Sequence, residues 1–146
     1  MGAQLSVVPK DIDSNNQKAK RAVRLVAKYE HKNGRTVVPA QRRSGYDLVS
    51  RGKRGHIRTI EVKGTKKPTL AIPDLAETEF GRNKQLKATH LYVVSNIDRK
   101  PKLYIVSRSE LAHAIIRAKG LKQLIRWRVP GSAQKLLRDS IQEESL

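Results

Sequence analysis

The sequence predicts a single α/β domain, and three observations support this fold class. The chain has 146 residues, a length that fits one domain of ordinary size. Hydrophobic residues make up 38% of it and occur in short periodic runs, which indicates a packed core rather than a disordered basic tail. Helical and strand-like segments alternate along residues 14–146, as in proteins whose helices cover a sheet, whereas residues 1–13 are expected to form a basic, flexible arm.

The first helix is predicted to start at Ser14 and to end near Asn33-Gly34. The segment Ser14-Asn15-Asn16-Gln17 has the S-x-x-Q form of a capping box, in which the first and last side chains bond the free amides of a helix start. Small and apolar residues then recur every three or four positions, with bases between them, and Gly34 suits a helix end. This pattern predicts an amphipathic helix with a basic outer face.

A β-hairpin is predicted to follow this helix. Segments 46–50 and 56–63 are strand-like, and the Gly-containing turn 51–55 joins them. With this turn, Ser50 pairs with His56, and Asp47 faces Thr59. Residues 70–72 are a candidate further strand, and residues 75–87 are predicted to form a helix.

The second half of the domain is predicted to add buried strands and a C-terminal helical extension. Segments 91–94 and 103–106 are nearly continuous apolar runs, which are typical of strands buried on both faces. Ser107-Arg108-Ser109-Glu110 is a second capping box, and it opens a helix that Gly120 can end. A short strand over 125–129, broken by Pro130-Gly131, and a last helix over 133–141 complete the prediction.

The charge balance indicates a polyanionic partner. Lys and Arg number 31 against 13 Asp and Glu, which gives a formal net charge of +18, and a folded chain with this charge repels itself unless a polyanion binds. Nucleic acid is the expected partner. The chain contains no cysteine, which excludes zinc fingers, iron–sulfur clusters and cysteine nucleophiles and favours the cytoplasm, or the nucleoid or nucleus.

A membrane partner is a weaker hypothesis. No segment approaches the roughly 20 apolar residues that a transmembrane helix needs. The start of the chain, Met1-Gly2-Ala3-Gln4-Leu5-Ser6, satisfies the minimal N-myristoylation pattern, so acylation together with basic charge could hold the protein at a membrane surface. We expect no membrane partner, because that pattern fixes only two residue types.

Three side chains of the predicted hairpin suggest a metal-dependent catalytic site. Glu61 and Lys63 end a strand, where a period of two places both on one face. In the predicted register Asp47 is the diagonal neighbour of Glu61, with Cβ atoms about 7 Å apart. Two carboxylates this close repel each other unless a divalent cation lies between them, and an oxygen-only site suits Mg²⁺ or Mn²⁺.

The surroundings of these acids are strongly basic. Residues 42–67 hold nine bases and only the two acids, a local charge of +7. Lys63 is predicted to position or deprotonate a water and to offset charge in the transition state, which together with a metal describes phosphodiester hydrolysis. The other eight bases are predicted to bind nucleic acid: Arg42, Arg43, Arg51, Lys53, Arg54, Arg58, Lys66 and Lys67.

These residues carry a resemblance to a known superfamily. Gly45-Tyr46-Asp47-Leu48, the basic turn and Ile60-Glu61-Val62-Lys63-Gly64 resemble the active-site signature of PD-(D/E)xK nucleases, which include restriction endonucleases and archaeal Holliday-junction resolvases. Together with Tyr29-Glu30, Gly34-Arg35, Glu79-Phe80 and residues 91–94, these blocks more narrowly resemble the nuclease-like domain at the C-terminus of the plant protein NO VEIN.

The resemblance implies a restriction-endonuclease-like fold, a mixed β-sheet flanked by helices, and an endonuclease that cuts duplex or branched DNA. It implies that Asp47, Glu61 and the backbone carbonyl of Val62 bind Mg²⁺ and that Lys63 is the catalytic lysine. Members of the superfamily often carry a further acid on the first helix, where this chain offers only Gln17 and Glu30 as accessory candidates.

Two alternatives stay open from the sequence. The acids could form a structural salt bridge with Lys63 or a nearby arginine, and the protein could then be a non-catalytic nucleic-acid-binding module that retains the nuclease fold. Cleavage of both DNA strands would be easiest with two sites, so a homodimer is a further expectation that no apolar face of the sequence demonstrates.

Overall fold

The computed structural model describes residues 7–10, 12–13, 15–81, 85–118, 121–123 and 126–146. These residues form helices and strands with the following bounds: α1 Gln17–Lys32, β1 Thr36–Pro39, β2 Leu48–Arg51, β3 Ile57–Gly64, β4 Leu75–Ala76, β5 His90–Ser95, β6 Lys102–Ser107, α2 Arg108–Ala118, β7 Leu121–Gln123, β8 Arg126–Arg128, α3 Gly131–Ser140 and β9 Glu143–Glu144.

The predicted α/β class, a mixed sheet flanked by helices, is confirmed. The main sheet has the order β1-β2-β3-β5-β6-β9, with β3 and β5 parallel and all other neighbours antiparallel. Helix α1 packs on one face of this sheet, against Ile60, Val62, Tyr92 and Val94. Helices α2 and α3 and the small sheet β4-β8-β7 pack on the other face, against Leu91 and Val93 of β5. The two faces of β3 and β5 therefore have different neighbours.

Helix α1 buries the stripe that its periodicity predicts, with Ala22, Val23, Val26 and Ala27 in contact with the sheet. The predicted capping box at its start is wrong. The N-cap is Asn16, whose Oδ1 accepts a hydrogen bond from the Ala19 amide at 3.0 Å, while Ser14 lies outside the described residues. The helix ends at the predicted place, since Asn33 is its C-cap and Gly34 follows with a φ of 80°.

The hairpin forms, but its predicted register is wrong by two residues. Arg51 pairs with Ile57 and Leu48 pairs with Ile60, because residues 52–56 and not 51–55 make the connection, including a short 3₁₀ turn at Lys53–Gly55. A shift of two residues leaves every side chain on its predicted face. Asp47, which was predicted to face Thr59, instead comes directly before the Leu48–Ile60 pair, and its amide donates to the Ile60 carbonyl at 2.8 Å.

The helix predicted over 75–87 is wrong. This segment contains β4, a 3₁₀ turn at Glu77–Glu79 and an isolated bridge between Phe80 and Leu86, with residues 82–84 outside the described part. Pairing of β4 with β8, where Leu75 opposes Trp127, takes the place of helical hydrogen bonds. Residues 70–72 add no strand to the sheet, because the amide of Ile72 donates instead to Oε1 of Gln134 at 2.9 Å.

The predicted buried strands and the second capping box are confirmed. Strands β5 and β6 cover the two apolar runs. The Ser107 hydroxyl accepts from the Glu110 amide at 3.1 Å, and Oε1 of Glu110 accepts from the Ser107 amide at 2.9 Å. Gly120, the predicted end of α2, lies outside the described residues. Strands β1, β7 and β9 were not predicted, whereas β8 and α3 lie close to the predicted strand and last helix.

Within the described residues, no helix has the length and apolar character to cross a membrane. The segment 1–6 with the myristoylation pattern lies outside these residues. Of the predicted arm, Val7, Val8 and Ile12 pack against the core between α1 and the sheet.

Candidate active site

Asp47, Glu61 and Lys63 lie together on the sheet face that α1 does not cover. Glu61 and Lys63 pair with Leu91 and Val93 of β5, whose side chains are in the core opposite α1. Asp47 is fixed to the same strand by its backbone and its side chain, since its amide donates to the Ile60 carbonyl at 2.8 Å and its Oδ2 accepts from the Val62 amide at 2.8 Å. The three predicted catalytic residues are thus brought together.

A fourth residue, Glu79, joins them and was not predicted as a site residue. The Nζ atom of Lys63 lies 3.3 Å from Oε2 of Glu61 and 3.0 Å from Oε2 of Glu79. Glu79 is itself fixed, because its Oε1 accepts from the Ala76 amide at 2.5 Å. The sequence did contain a signal for Glu79, because the Glu79-Phe80 block is part of the resemblance to the NO VEIN domain. The helix predicted over 75–87, however, gave no reason to place Glu79 beside Lys63. We refer to Asp47, Glu61, Lys63 and Glu79 as the acidic cluster.

The acidic cluster holds three carboxyl groups and one ammonium, and burial together with their mutual interactions shifts their pKa values. Burial raises the pKa of Asp47 to about 6. Burial also raises the pKa of Glu61 well above its usual range, and its hydrogen bond to Glu79 and repulsion from Asp47 add to the effect. Burial acts to lower the pKa of Lys63, but the nearby carboxylates outweigh it and raise that pKa. The excess of acidic groups favours binding of a further cation.

The donor atoms of the acidic cluster suit Mg²⁺. This ion is usually held in proteins by one or two carboxylates, with waters and substrate phosphates completing its shell, and Asp47 and Glu61 supply two. Within the part of the chain that the structure describes, no three His, Asp or Glu side chains form a group that could hold a metal ion. The Val62 carbonyl as a third protein ligand stays a prediction.

An open cleft gives access to the acidic cluster. Its volume is about 600 Å³, and Asp47, Glu61 and Glu79 lie in its wall. Two basic residues, Arg43 and Lys87, line the same cleft. A phosphodiester entering the cleft would therefore meet cationic side chains together with the carboxylates.

A comparison with family models gives a match, and it covers the part of the chain that holds the acidic cluster. The model of the family described as Protein NO VEIN, C-terminal, matches residues 18–106, more than half of the chain. The chain belongs to the NO VEIN C-terminal family. The matched range runs from α1 to β6 and includes the whole acidic cluster. Comparisons with curated proteins and with solved structures give no match.

The Gly45-Tyr46-Asp47 segment requires glycine for a steric reason. Gly45 has a φ of +90°, and a Cβ atom there would lie 2.8 Å from the carbonyl oxygen of Thr78 and 2.5 Å from Cδ of Lys87. The absence of a side chain thus lets the segment before Asp47 approach the 3₁₀ turn that carries Glu79. Gly64 plays a related role after Lys63, because its position lies against Ala22 of α1.

We expect Gly45→Ala to destabilise this member of the NO VEIN C-terminal family by about 1–3 kcal/mol, because the new methyl group is both strained and in collision with backbone. Gly55→Ala is the matched control, since Gly55 also has a positive φ, +74°, but nothing lies within 4 Å of its Cβ position. Urea denaturation of both variants measures the difference. Equal losses of stability in the two variants would show that backbone strain alone causes the loss, and that the close approach of residue 45 to Thr78 adds nothing.

The eight predicted nucleic-acid-binding bases do not form one rim around the cluster. Arg43 lines the cleft, and Arg42 is next to it in sequence. Arg58 lies on the opposite, α1-facing side of the sheet, where its NH1 donates to the Tyr92 hydroxyl at 2.8 Å. The others lie at the two ends of β3: Arg51, Lys53 and Arg54 near its start, and Lys66 and Lys67 beyond its end, where Lys66 pairs with Asp98 at 3.5 Å.

The accessory candidates Glu30 and Gln17 are not brought to the acidic cluster. Both belong to α1, which packs on the other face of the sheet. The Glu30 side chain is fully buried there, where its Oε1 and Oε2 accept from Nε and NH2 of Arg35 at 2.8 and 2.5 Å. Its Oε2 also accepts from the Tyr92 hydroxyl at 3.0 Å. Glu30 thus forms a buried ion pair away from the acidic cluster.

This ion pair predicts how stability depends on pH. Burial acts to raise the pKa of Glu30, but the hydrogen bonds and charge of Arg35 outweigh it and lower the pKa below its ordinary value of 4.5. The stabilisation is therefore present above pH 4.5 and is lost as the pH falls through the lower pKa of the folded state. We expect the free energy of unfolding of wild type to approach that of Glu30→Gln as the pH falls below 4.5. Urea denaturation measures both free energies. A difference between the two proteins that does not change with pH would show that the charge of Glu30 does not stabilise the fold.

Proposed function

We propose that this protein is a Mg²⁺-dependent DNA endonuclease that hydrolyses phosphodiester bonds. The observation that carries the proposal is the convergence of Asp47, Glu61 and Lys63 on one face, where Asp47 and Glu61 line a cleft that also presents Arg43 and Lys87. The overall charge of +18 and the membership of the NO VEIN C-terminal family support it. DNA, duplex or branched, is the proposed substrate, and a homodimer is the proposed form for cutting both strands.

Each residue of the acidic cluster has a role in this proposal. Asp47 and Glu61 would hold Mg²⁺ or Mn²⁺, because carboxylate oxygens are the ligands these ions prefer. When bound, the ion would polarise the scissile phosphate and favour ionisation of a water. Lys63 would donate hydrogen bonds from its ammonium group to the phosphate or to that water, and Glu79 would keep the ammonium in place. The close carboxylates favour this positioning role over proton abstraction by Lys63.

A cleavage assay tests the proposal. Fluorescently labelled duplex, single-stranded and four-way branched DNA are incubated with the protein and Mg²⁺, and binding of each is measured in parallel. We expect cleavage of duplex or branched DNA that EDTA abolishes. Binding of all three substrates with no product from any of them would refute the enzymatic function.

Metal binding is tested separately by calorimetric titration with Mn²⁺. We expect a saturable site in wild type that Asp47→Asn removes, since Asp47 supplies one of the two carboxylates. Asp98→Asn, which removes a carboxylate from the exposed pair with Lys66, is the control and should keep the site. If Asp47→Asn still bound Mn²⁺ as wild type does, the metal site would not involve Asp47.

A non-catalytic nucleic-acid-binding module is the second candidate. One observation favours it, namely that the Lys63 ammonium already lies between the carboxylates of Glu61 and Glu79, as in a structural ion pair. The module would bind DNA without metal and with a steep salt dependence, a log–log slope of about −0.9 for each phosphate contact. Metal-independent binding without cleavage would favour this candidate.

We expect Glu79→Gln to lower kcat about tenfold, the effect typical of residues that hold a catalytic group in place. The amide oxygen can still accept from the Ala76 amide, so the melting temperature should change little, whereas Lys63 loses one of its two anionic partners. Single-turnover rates and KM are measured together with melting. Glu77→Gln, on the same 3₁₀ turn, is the matched control. An unchanged kcat would show that Glu79 does not act through Lys63.

A further inference from the structure

A second cleft lies on the α1-facing side of the sheet, at the end of the hairpin away from the acidic cluster. It has a volume of about 370 Å³ and lies between the end of α1 and the turn that joins β2 to β3. Its lining includes Arg35, Lys53, His56 and Arg58. No acidic residue lines it within the described part of the chain. We call it the basic cleft.

The two arginines of the basic cleft are held by buried partners. Glu30 binds the Nε and NH2 groups of Arg35, and the Tyr92 hydroxyl binds NH1 of Arg58. The same hydroxyl donates to Glu30, so a continuous chain of hydrogen bonds links the two guanidinium groups. Each guanidinium has five N–H donors, and these contacts use two on Arg35 and one on Arg58. The remaining donors therefore belong to guanidinium groups that buried partners hold in place.

The charges of the basic cleft favour an anion. Arg35, Lys53 and Arg58 contribute three positive charges, and Glu30 behind them contributes one negative charge. The carboxyl end of α1 is also here, but the carbonyls of residues 29–31 already accept bonds from the amides of residues 33–35. Planar guanidinium donors that are fixed in place match the oxygens of a phosphate.

We propose that the basic cleft is a phosphate-binding site, distinct from the proposed nuclease site. The two lie on opposite faces of the sheet, since Arg58 faces α1 and Glu61 faces away from it. A phosphate at the basic cleft therefore requires neither a metal ion nor the acidic cluster. The phosphate can come from a nucleic-acid backbone or from a free phosphate-bearing molecule, and the experiment distinguishes these sources.

The first arm of the test uses inorganic phosphate and metal-free wild-type protein. The Nε–Hε signals of ¹⁵N-labelled arginines are followed during titration with phosphate, against chloride at equal ionic strength. We expect saturable shifts at Arg35 and Arg58 and none at Arg99, an exposed arginine of the β5–β6 connection. Absence of saturable shifts at both cleft arginines would overturn the proposal.

The second arm measures duplex DNA affinity in EDTA by fluorescence anisotropy. Lys53→Gln/Arg58→Gln is compared with Arg99→Gln/Lys100→Gln, which removes the same charge from an exposed loop outside the cleft. If the phosphate belongs to DNA, the cleft variant loses about tenfold more affinity than the control, and its salt slope falls by about 0.9 for each lost contact. Equal losses, together with phosphate shifts in wild type, would assign the site to a free phosphate-bearing ligand. Because EDTA excludes metal-dependent cleavage, a failed nuclease assay has no bearing on this result.

Discussion

Asp47→Asn and Glu61→Gln are each expected to lower Mg²⁺-dependent DNA cleavage by at least about 100-fold. Each change removes one of the two carboxylates that would hold the ion, and loss of a single charge-stabilising group typically costs this much in rate. Asp47→Asn keeps an oxygen that can accept from the Val62 amide, so the fold should persist. Single-turnover cleavage of labelled DNA measures the rates, and melting curves check the fold.

The controls separate loss of catalysis from loss of binding. Lys63→Gln should also lose cleavage. All three variants should still bind DNA, because the substitutions at Asp47 and Glu61 remove negative charge and the bases that line the cleft, Arg43 and Lys87, remain. Asp98→Asn removes an equal charge from an exposed position and should cleave at the wild-type rate. Near wild-type cleavage by Asp47→Asn would exclude the proposed site, and loss of DNA binding in parallel with cleavage would show a binding role.

Three residues of the candidate site were predictable because alternate side chains of a β-strand lie on the same face of the sheet. Glu61 and Lys63 share a face in any strand, and Asp47 stays on that face whether the hairpin register is as predicted or shifted by two residues. Glu79 was not predictable in the same way. It reaches Lys63 from a turn 16 residues later, and its position depends on pairing of β4 with β8, a contact distant in sequence.

The elements with strong local signals were also predictable, and those held by distant contacts were not. Strands β5 and β6 are apolar along their length, and the Ser107–Glu110 capping box fixes the start of α2 by itself. Strand β1 has the sequence TVVP, and Val37 is its one buried residue. It is a strand because it pairs with β2, and its hydrophobic pattern alone did not predict it. Charge alone did not predict where the basic residues lie, since Arg58 faces α1 and Arg43 lines the cleft.

Arg35→Met is expected to destabilise the protein by about 3 kcal/mol. The Glu30 side chain is completely buried and accepts two hydrogen bonds from this guanidinium, so removing Arg35 leaves an uncompensated carboxylate. The double variant Glu30→Gln/Arg35→Met should recover part of the loss, because an uncharged amide is far less costly to bury than a carboxylate. Urea denaturation at pH 7 measures all three proteins.

Arg128→Met provides the matched control for this change. Arg128 also forms a two-point pair, with Asp74 at 3.1 and 3.2 Å, but it is exposed, so water replaces its partner when the pair is broken. We therefore expect a much smaller loss than for Arg35→Met. Equal losses of stability in the two variants would mean that the burial of Glu30 does not determine how much Arg35→Met destabilises the protein. A double variant no more stable than Arg35→Met would show that the contact of the guanidinium with the Tyr29 ring, not the unpaired carboxylate, accounts for the loss.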